Sequence, residues 1–321
     1  MRGSLLSCVK PQSRYTADLK EDASMFLSSL TDGLARLDES LTKESVSLKW
    51  SIEAMNLLKN MQTDLLALFK KFNLPISIGS DEDWFDQYMQ ETAILLDFCN
   101  TLKAAISRFN WYCMIVDLTI KMLAEDNPSK IVDFDKMEFN RMEKSREWRF
   151  DMKLVNETVK VGYKTYSGNQ KCDKEMMLIM LVTKTTMLVL SLILVSSMTS
   201  PVSVDTNGAE PGSRVQEVKP CFDLLSQIAR KVGERFENAE ITIVEHEMIV
   251  EVLRDLKGQL VGGVAKDRVK FLKDLEKLRE KLNGLKEGVE RFNSVLHEVF
   301  DEVIKGRNEM LGIFRDSLDT R

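Results

Sequence analysis

The sequence contains little histidine, proline and cysteine, and these shortages exclude several classes of protein. Its 321 residues include two histidines, six prolines and five cysteines. His246-Glu247 begins the pattern of a zinc protease, but Val250 stands where the second histidine must be. The sequence has no phosphate-binding glycine loop, nucleophile elbow or Cys-x-x-Cys pair. We therefore predict no catalytic residue, no cofactor and no metal site, and we expect a protein that is not an enzyme.

The net charge limits the kinds of partner that the protein can bind, and the cysteines indicate its cellular compartment. The formal net charge is −5, and because nucleic-acid binding requires a basic surface, we predict no nucleic-acid partner. The five cysteines are dispersed along the chain, which is typical of reduced thiols in a compartment that faces the cytosol. Cys99 and Cys113 fall on apolar helix faces, so we expect both to be buried structural thiols.

Long stretches without proline or glycine favour helices. Apolar residues recur at spacings of three and four in residues 18–43, 50–72 and 81–125, which is the period of an amphipathic helix. At ~1.5 Å per residue the third of these helices would be about 65 Å long. A helix of this length needs neighbours that cover its apolar face. The sequence predicts an all-α fold, an elongated bundle of long antiparallel helices with a C-terminal coiled-coil-like helix.

Breaks in this pattern divide the chain. Residues 1–17 are basic and free of acids until Asp18; they resemble the start of a plastid or mitochondrial transit peptide, but an ordinary flexible terminus is favoured. Prolines and Asn-Gly or Pro-Gly pairs indicate a linker over residues 199–220. We expect one helix over residues 222–256 after it, and then a turn over residues 258–263. The division is a flexible N-terminus 1–17, an N-terminal helical region 18–172, an apolar central or transmembrane helix 173–198, a linker 199–220, and a helical and coiled-coil region 221–321, which together form one integrated helical domain.

An apolar segment over residues 176–198 has two interpretations. It is long enough to span a bilayer, since ~20 apolar residues cover ~30 Å. Lys184 within it would cost about 3 kcal/mol at the bilayer centre. The alternative is a central helix that the bundle buries on all sides, with Lys184 reaching outward or paired, and this interpretation is favoured. The positions that represent the segment are Met176, Leu181, Lys184, Leu190 and Met198.

A second repeat near the C-terminus predicts helix-on-helix packing. Apolar residues alternate at spacings of three and four there, the 3.5-residue period of a coiled-coil seam. The seam favours a partner helix of the same chain over a second chain, and it leaves the oligomeric state open. Asn283-Gly284 and Gly288 predict a kink or short break. The seam positions are Leu275, Leu278, Leu282, Leu285, Val289, Phe292, Leu296, Val299 and Val303.

Several short motifs resemble the plant BYPASS family. They are SVSLKWSIEA at residues 45–54, LPIS at 74–77, WFDQY at 84–88 and LLDFCN at 95–100. An apolar stretch followed by a coiled C-terminal helix with an arginine-containing segment at 304–311 also fits that pattern. The motif positions are Trp50, Pro75, Trp84, Tyr88, Asp97, Cys99 and Asn100.

The resemblance implies a plant developmental regulator that restrains a root-derived mobile signal and thereby affects root and shoot growth. The motifs are of the helix-packing kind, so they identify no protein partner. Our leading hypothesis is a non-enzymatic helical interaction protein at the cytoplasmic face of a membrane or in the cytoplasm; a plastid location is less favoured. One alternative is a single-pass membrane-anchored regulator. Another is an enzyme or carrier of a small hydrophobic metabolite, which would require an apolar cavity with a few convergent polar groups.

Overall fold

The computed structural model describes residues 12–41, 46–72, 84–124, 174–199, 217–236, 243–261, 264–265 and 267–319. These ranges contain seven α-helices and a two-stranded hairpin, so the predicted all-α class is confirmed. The helices are α1 (Gln12–Ser40), α2 (Leu48–Phe72), α3 (Trp84–Ala124), α4 (Lys174–Thr199), α5 (Lys219–Phe236), α6 (Val244–Gln259) and α7 (Arg268–Asp319). The strands are β1 (Leu260–Val261) and β2 (Val264–Ala265).

The predicted division of the chain changes at its N-terminus. Helix α1 begins at Gln12, so the last part of segment 1–17 is helical rather than flexible. The predicted helical region 18–172 is described as far as Ala124. Most of the predicted linker, residues 199–220, lies outside the described residues.

Helices α1 and α2 form an antiparallel pair. The indole N–H of Trp50, near the start of α2, donates to the carbonyl oxygen of Leu37 near the end of α1 (3.0 Å). At the opposite ends, Lys71 of α2 pairs with Asp22 of α1 (2.5 Å). This arrangement agrees with the predicted antiparallel packing, because helices joined by a short connection run in opposite directions.

Helices α2 and α7 are parallel, in contrast to the predicted antiparallel arrangement. Ion pairs join Lys59 to Glu298 (2.7 Å) and Lys70 to Glu309, so both helices advance in the same direction. Contacts between α1 and α5 show the same parallel order. Because several helices separate α2 from α7 in the sequence, no short loop forces them to be antiparallel.

Helix α7 packs along α2, α3 and α6. It is unbroken over 52 residues, so the short break that was the alternative to a kink at Asn283-Gly284 and Gly288 does not occur. At Gly288 a Cβ atom would meet the Cδ1 of Leu48 at 2.7 Å, so the glycine allows α2 to approach closely. All nine predicted seam residues are buried: Leu275, Leu278, Leu282, Leu285, Val289, Phe292, Leu296, Val299 and Val303.

The apolar helix α4 packs against α1, α2, α3 and α5. It is long and apolar enough to cross a membrane, yet 83% of its most apolar stretch is buried inside the protein. Its partly exposed apolar residues and Lys184 follow one another at intervals of seven or four residues, so they lie on one narrow stripe of the helix. Four of the predicted segment positions, Met176, Leu181, Leu190 and Met198, are buried.

The predicted helix over residues 222–256 is two helices. Between them, Ile243 has an extended backbone (φ −125°, ψ 142°) and is fully buried. The next residue, Val244, donates its N–H to the carbonyl oxygen of Val46 (3.2 Å). The backbone here is therefore held by a distant segment of the chain, and a continuous helix would lose that contact.

Within the predicted turn over 258–263, the described residues belong to the end of α6 and to strand β1. Gly258 is still within α6. The antiparallel strands that follow pair Leu260 with Ala265. Val-Gly-Gly-Val is the sequence at this point, and Gly-Gly between apolar residues is a known hairpin signal.

Candidate interaction site

Tyr88, one of the BYPASS-like positions, lies at the junction of α2, α3 and α7. Its side chain is buried and meets the ring of Phe69 edge-on, with ring centroids 5.6 Å apart. A Cβ atom at Gly306 of α7 would collide with the Tyr88 hydroxyl. The glycine thus leaves room for a large aromatic side chain between two helices.

Arg307 stabilises the same junction through hydrogen bonds. Its guanidinium donates to the hydroxyl oxygen of Thr92 (2.7 Å) and to the carbonyl oxygen of Met89. The Thr92 hydroxyl in turn donates to the carbonyl oxygen of Tyr88 (2.6 Å). The structure therefore brings together two parts of the resemblance, the WFDQY motif and the segment 304–311. Their contacts hold α3 against α7.

Glu91 is a buried carboxyl on α3. Burial raises its pKa to about 7, an effect that the nearby positive charge of Lys184 opposes. A pKa near neutrality is common in catalytic acids and bases. Glu91, however, is enclosed where α3 packs on α4, so we assign it to packing rather than to chemistry.

Trp50 belongs to a set of contacts that satisfies the N–H groups at the start of α2. The Ser47 hydroxyl oxygen accepts from the N–H of Trp50 (3.1 Å). The Glu245 carboxylate, from α6, accepts from the N–H of Leu48 (3.0 and 3.1 Å). The first N–H groups of a helix have no partner within the helix, so these side chains stabilise the α2 start. The first BYPASS-like motif is structural here.

The described thiols and the buried histidine are not activated for chemistry. Cys99 and Cys113 are buried, as predicted, and burial raises the pKa of Cys99 to about 12 and that of Cys113 to about 11. Burial lowers the pKa of His246 to about 4, and its ring packs edge-on against Tyr112 (4.7 Å). No cluster of three or more potential metal ligands occurs in the part of the chain that the structure describes.

The outward face of α3 differs from these buried contacts. Exposed residues follow one another along it at spacings of three and four. Three of them are large and apolar: Trp111 is 59% exposed, Met114 58% and Leu118 54%. We call this surface the outer stripe; it consists of Asp97, Asn100, Ala104, Ser107, Trp111, Met114 and Leu118. At ~1.5 Å per residue it is about 30 Å long.

The outer stripe combines predicted and unpredicted residues. Asp97 and Asn100, both BYPASS-like positions, form its polar end. Pro75 lies outside the described residues, and Trp84 is described only as the first residue of α3. The apolar end was not predicted, although Trp111, Met114 and Leu118 themselves repeat at spacings of three and four. An exposed apolar cluster of this kind is typical of an interaction site.

Comparisons with known proteins identify distant plant relatives. The chain is 27% identical over 146 residues to UPF0496 protein 4 of Oryza sativa subsp. indica and to that of subsp. japonica, over 43% of this chain and 30% of each relative. It is 23% identical over 106 residues to the chloroplastic protein BPS1 of Arabidopsis thaliana, over 33% of this chain and 30% of the relative. No family model and no solved structure matches the chain. This weak similarity, limited to less than half of the chain, suggests the plant BYPASS and UPF0496 group.

Proposed function

We propose that this protein is a non-enzymatic regulator of plant development that binds an amphipathic helix of a partner protein along the outer stripe. The observation that carries the proposal is the exposure of Trp111, Met114 and Leu118 on a helix whose other side is buried. Because these three side chains are a little more than half exposed, leaving them in water forgoes roughly half of the ~1.5–3 kcal/mol that full burial of each would contribute. A partner that covers them recovers part of that free energy.

The spacing of the outer stripe favours a helix as the partner. Its exposed residues alternate at three and four, which is the repeat that lets two helices interlock side chains. Ala104 and Ser107 in the middle of the stripe are small, so a second helix can approach α3 closely there. Trp111 beside them supplies the large anchoring side chain that commonly dominates the energy of an interface.

The distant similarity to BPS1 and UPF0496 proteins supports a role in plants. By the resemblance to the BYPASS family, the regulated process is the restraint of a root-derived mobile signal that controls root and shoot growth. The proposal places the protein in the cytoplasm or at the cytoplasmic face of a membrane.

Helix α4 bears on the alternative of a single-pass membrane protein. A helix that faces lipid exposes apolar residues around its circumference, whereas α4 leaves only a narrow stripe partly exposed, and that stripe contains Lys184. This pattern supports α4 as a core helix. Carbonate extraction of the tagged full-length protein tests the assignment: we expect release into the supernatant, and retention in the membrane pellet would favour the anchor.

Growth of a plant line that lacks this protein tests the proposed binding surface. We expect the wild-type chain to restore normal growth and the variant Trp111→Gln/Met114→Gln/Leu118→Gln to restore little or none of it. The variant should keep its helical circular dichroism and its unfolding midpoint, because the three side chains are more than half exposed.

A second triple variant is the matched control. Met248→Gln/Val269→Gln/Leu272→Gln makes the same replacements at exposed apolar residues of α6 and α7, and we expect it to restore growth. Equal restoration by both variants, with both folded, would show that the outer stripe is not the functional surface.

A further inference from the structure

A second surface with ligand-binding features lies on different helices, in the groove between α1 and α2. The groove has a volume of about 340 Å³. Its floor is apolar, formed by the buried side chains of Phe26 and Leu68, and Met25 stands 59% exposed at its edge. Exposed methionine beside a buried apolar floor is an adaptable surface for another apolar side chain.

Two aspartates and one lysine line this groove. Asp22 pairs with Lys71 at one position (2.5 Å), so its charge is already balanced. Asp64 also lines the groove, and partial burial raises its pKa. Among the residues that the structure describes, no ion pair to Asp64 is found. A cation placed in the groove would therefore meet an exposed carboxylate that no described cation balances.

We propose that the groove between α1 and α2 binds a basic amphipathic helix of a partner protein. One apolar side chain of that helix would sit on Phe26 and Leu68, beside Met25. A lysine or arginine one turn away would face Asp64, since residues three or four apart lie on the same side of a helix. This is the helix-in-groove mode of recognition, in which apolar anchors give affinity and flanking charges select the partner.

The open form of the groove favours a helix over a small molecule. Two antiparallel helices enclose it from the sides, and its volume is at the lower end of the range for small-molecule sites, which bury most of their ligand. The excess of acidic over basic residues in the chain, with a net charge of −5, also favours a basic partner. The groove uses none of the outer-stripe residues, so this inference stands independently of the proposed function.

A designed peptide serves as the probe. Fluorescence anisotropy would measure binding of a labelled 18-residue helix of leucine and lysine to the full-length protein, in about 0.1 M salt, where exposed charges beyond ~10 Å are screened. We expect Asp64→Lys to weaken binding at least ~10-fold, in line with the cost of opposing charges. We expect Met25→Gln to weaken it at least ~3-fold, since it removes apolar contact.

Two controls make the result specific. Asp255→Lys changes the charge in the same way at an exposed position of α6 and should change the affinity less than ~2-fold. The equivalent helix of leucine and glutamate should bind at least ~10-fold more weakly than the lysine peptide. Equal losses in Asp64→Lys and Asp255→Lys, or equal binding of the two peptides, would overturn the proposal. Self-association of the protein that Asp64→Lys abolishes would also overturn it, because a second copy would then occupy the groove.

Discussion

The two faces of α3 share one helix and one period but have opposite environments. Phe109 is fully buried on the inner face, whereas Trp111, two residues later, is 59% exposed on the outer face. Both belong to apolar series spaced three and four apart. An apolar repeat thus predicts a helix and a potential contact surface, while the tertiary structure decides which of these surfaces is buried.

The same contrast occurs among the glycines of α7. Gly306 faces inward, against Tyr88, and has no room for a side chain. Gly284 faces outward, and a Cβ atom there would meet nothing within 4 Å. Glycine on the inner face therefore has a packing role, while glycine on the outer face only costs helix stability.

Removing an aromatic side chain from each face of α3 should give the largest difference. We expect Phe109→Ala to lower the free energy of unfolding by about 3–5 kcal/mol, since it leaves a cavity in the core. Trp111→Ala should change it by less than about 0.5 kcal/mol, since the side chain is on the surface. Urea denaturation followed by circular dichroism measures both. A large loss in Trp111→Ala would mean that the outer stripe is covered within the protein.

The pH dependence of the free energy of unfolding tests the burial of Glu91 on the inner face of α3. Its pKa rises from 4.5 in the unfolded chain to about 7 in the folded protein, so the folded state holds the proton more tightly. The stability that this group contributes is complete below pH 4.5 and is lost as the pH rises through 7. Relative to the wild type, the free energy of unfolding of Glu91→Gln should rise by about 3 kcal/mol between these two pH limits.

Denaturation at several pH values measures this gain as a difference between the two proteins. The acid sensitivity of His246, whose pKa is lowered to about 4, is common to both and cancels. Glu290→Gln makes the same replacement at an exposed position of α7 and is the matched control. A wild-type and a Glu91→Gln profile of identical slope would contradict the assignment.

Adding a methyl group at Gly306 should destabilise the protein by a smaller amount. We expect Gly306→Ala to lower the free energy of unfolding by about 1–3 kcal/mol, because the new methyl group meets the Tyr88 hydroxyl. Combining it with Tyr88→Phe, which removes that hydroxyl, should recover part of the loss. The four-protein thermodynamic cycle measures the coupling, and purely additive effects would argue against this contact.

The smallest expected change is a gain at Gly284. We expect Gly284→Ala to raise the free energy of unfolding by about 0.5–1 kcal/mol, because alanine restricts the unfolded chain and nothing opposes its methyl group. A small rise of the thermal unfolding midpoint would show it. A loss of stability would mean that the outward side of α7 is packed.

The local parts of the fold were predictable from the sequence. The apolar period gave α3 as residues 81–125 against the observed Trp84–Ala124, and the all-α class followed from the same repeats. These features depend on residues within one or two helical turns of each other, so the pattern of neighbouring residues determines them.

The other features depend on contacts between distant segments. The break before α6 requires Val46 to accept a hydrogen bond from Val244, nearly two hundred residues away. The parallel direction of α2 and α7, and the meeting of Tyr88 with Gly306, depend likewise on how helices far apart in the sequence assemble. The apolar end of the outer stripe was visible as a repeat, but only the folded chain shows that its side chains are more than half exposed.

The parallel docking of α7 beside α2 has a consequence during synthesis. Ribosomes release α2 and α3 long before α7, the last of the described helices, has been made. Until then the apolar surfaces that will contact α7 remain exposed to solvent, and unfolded intermediates of this kind aggregate. The nascent chain should therefore depend on chaperones for most of its translation, and premature stop codons before α7 should yield insoluble protein.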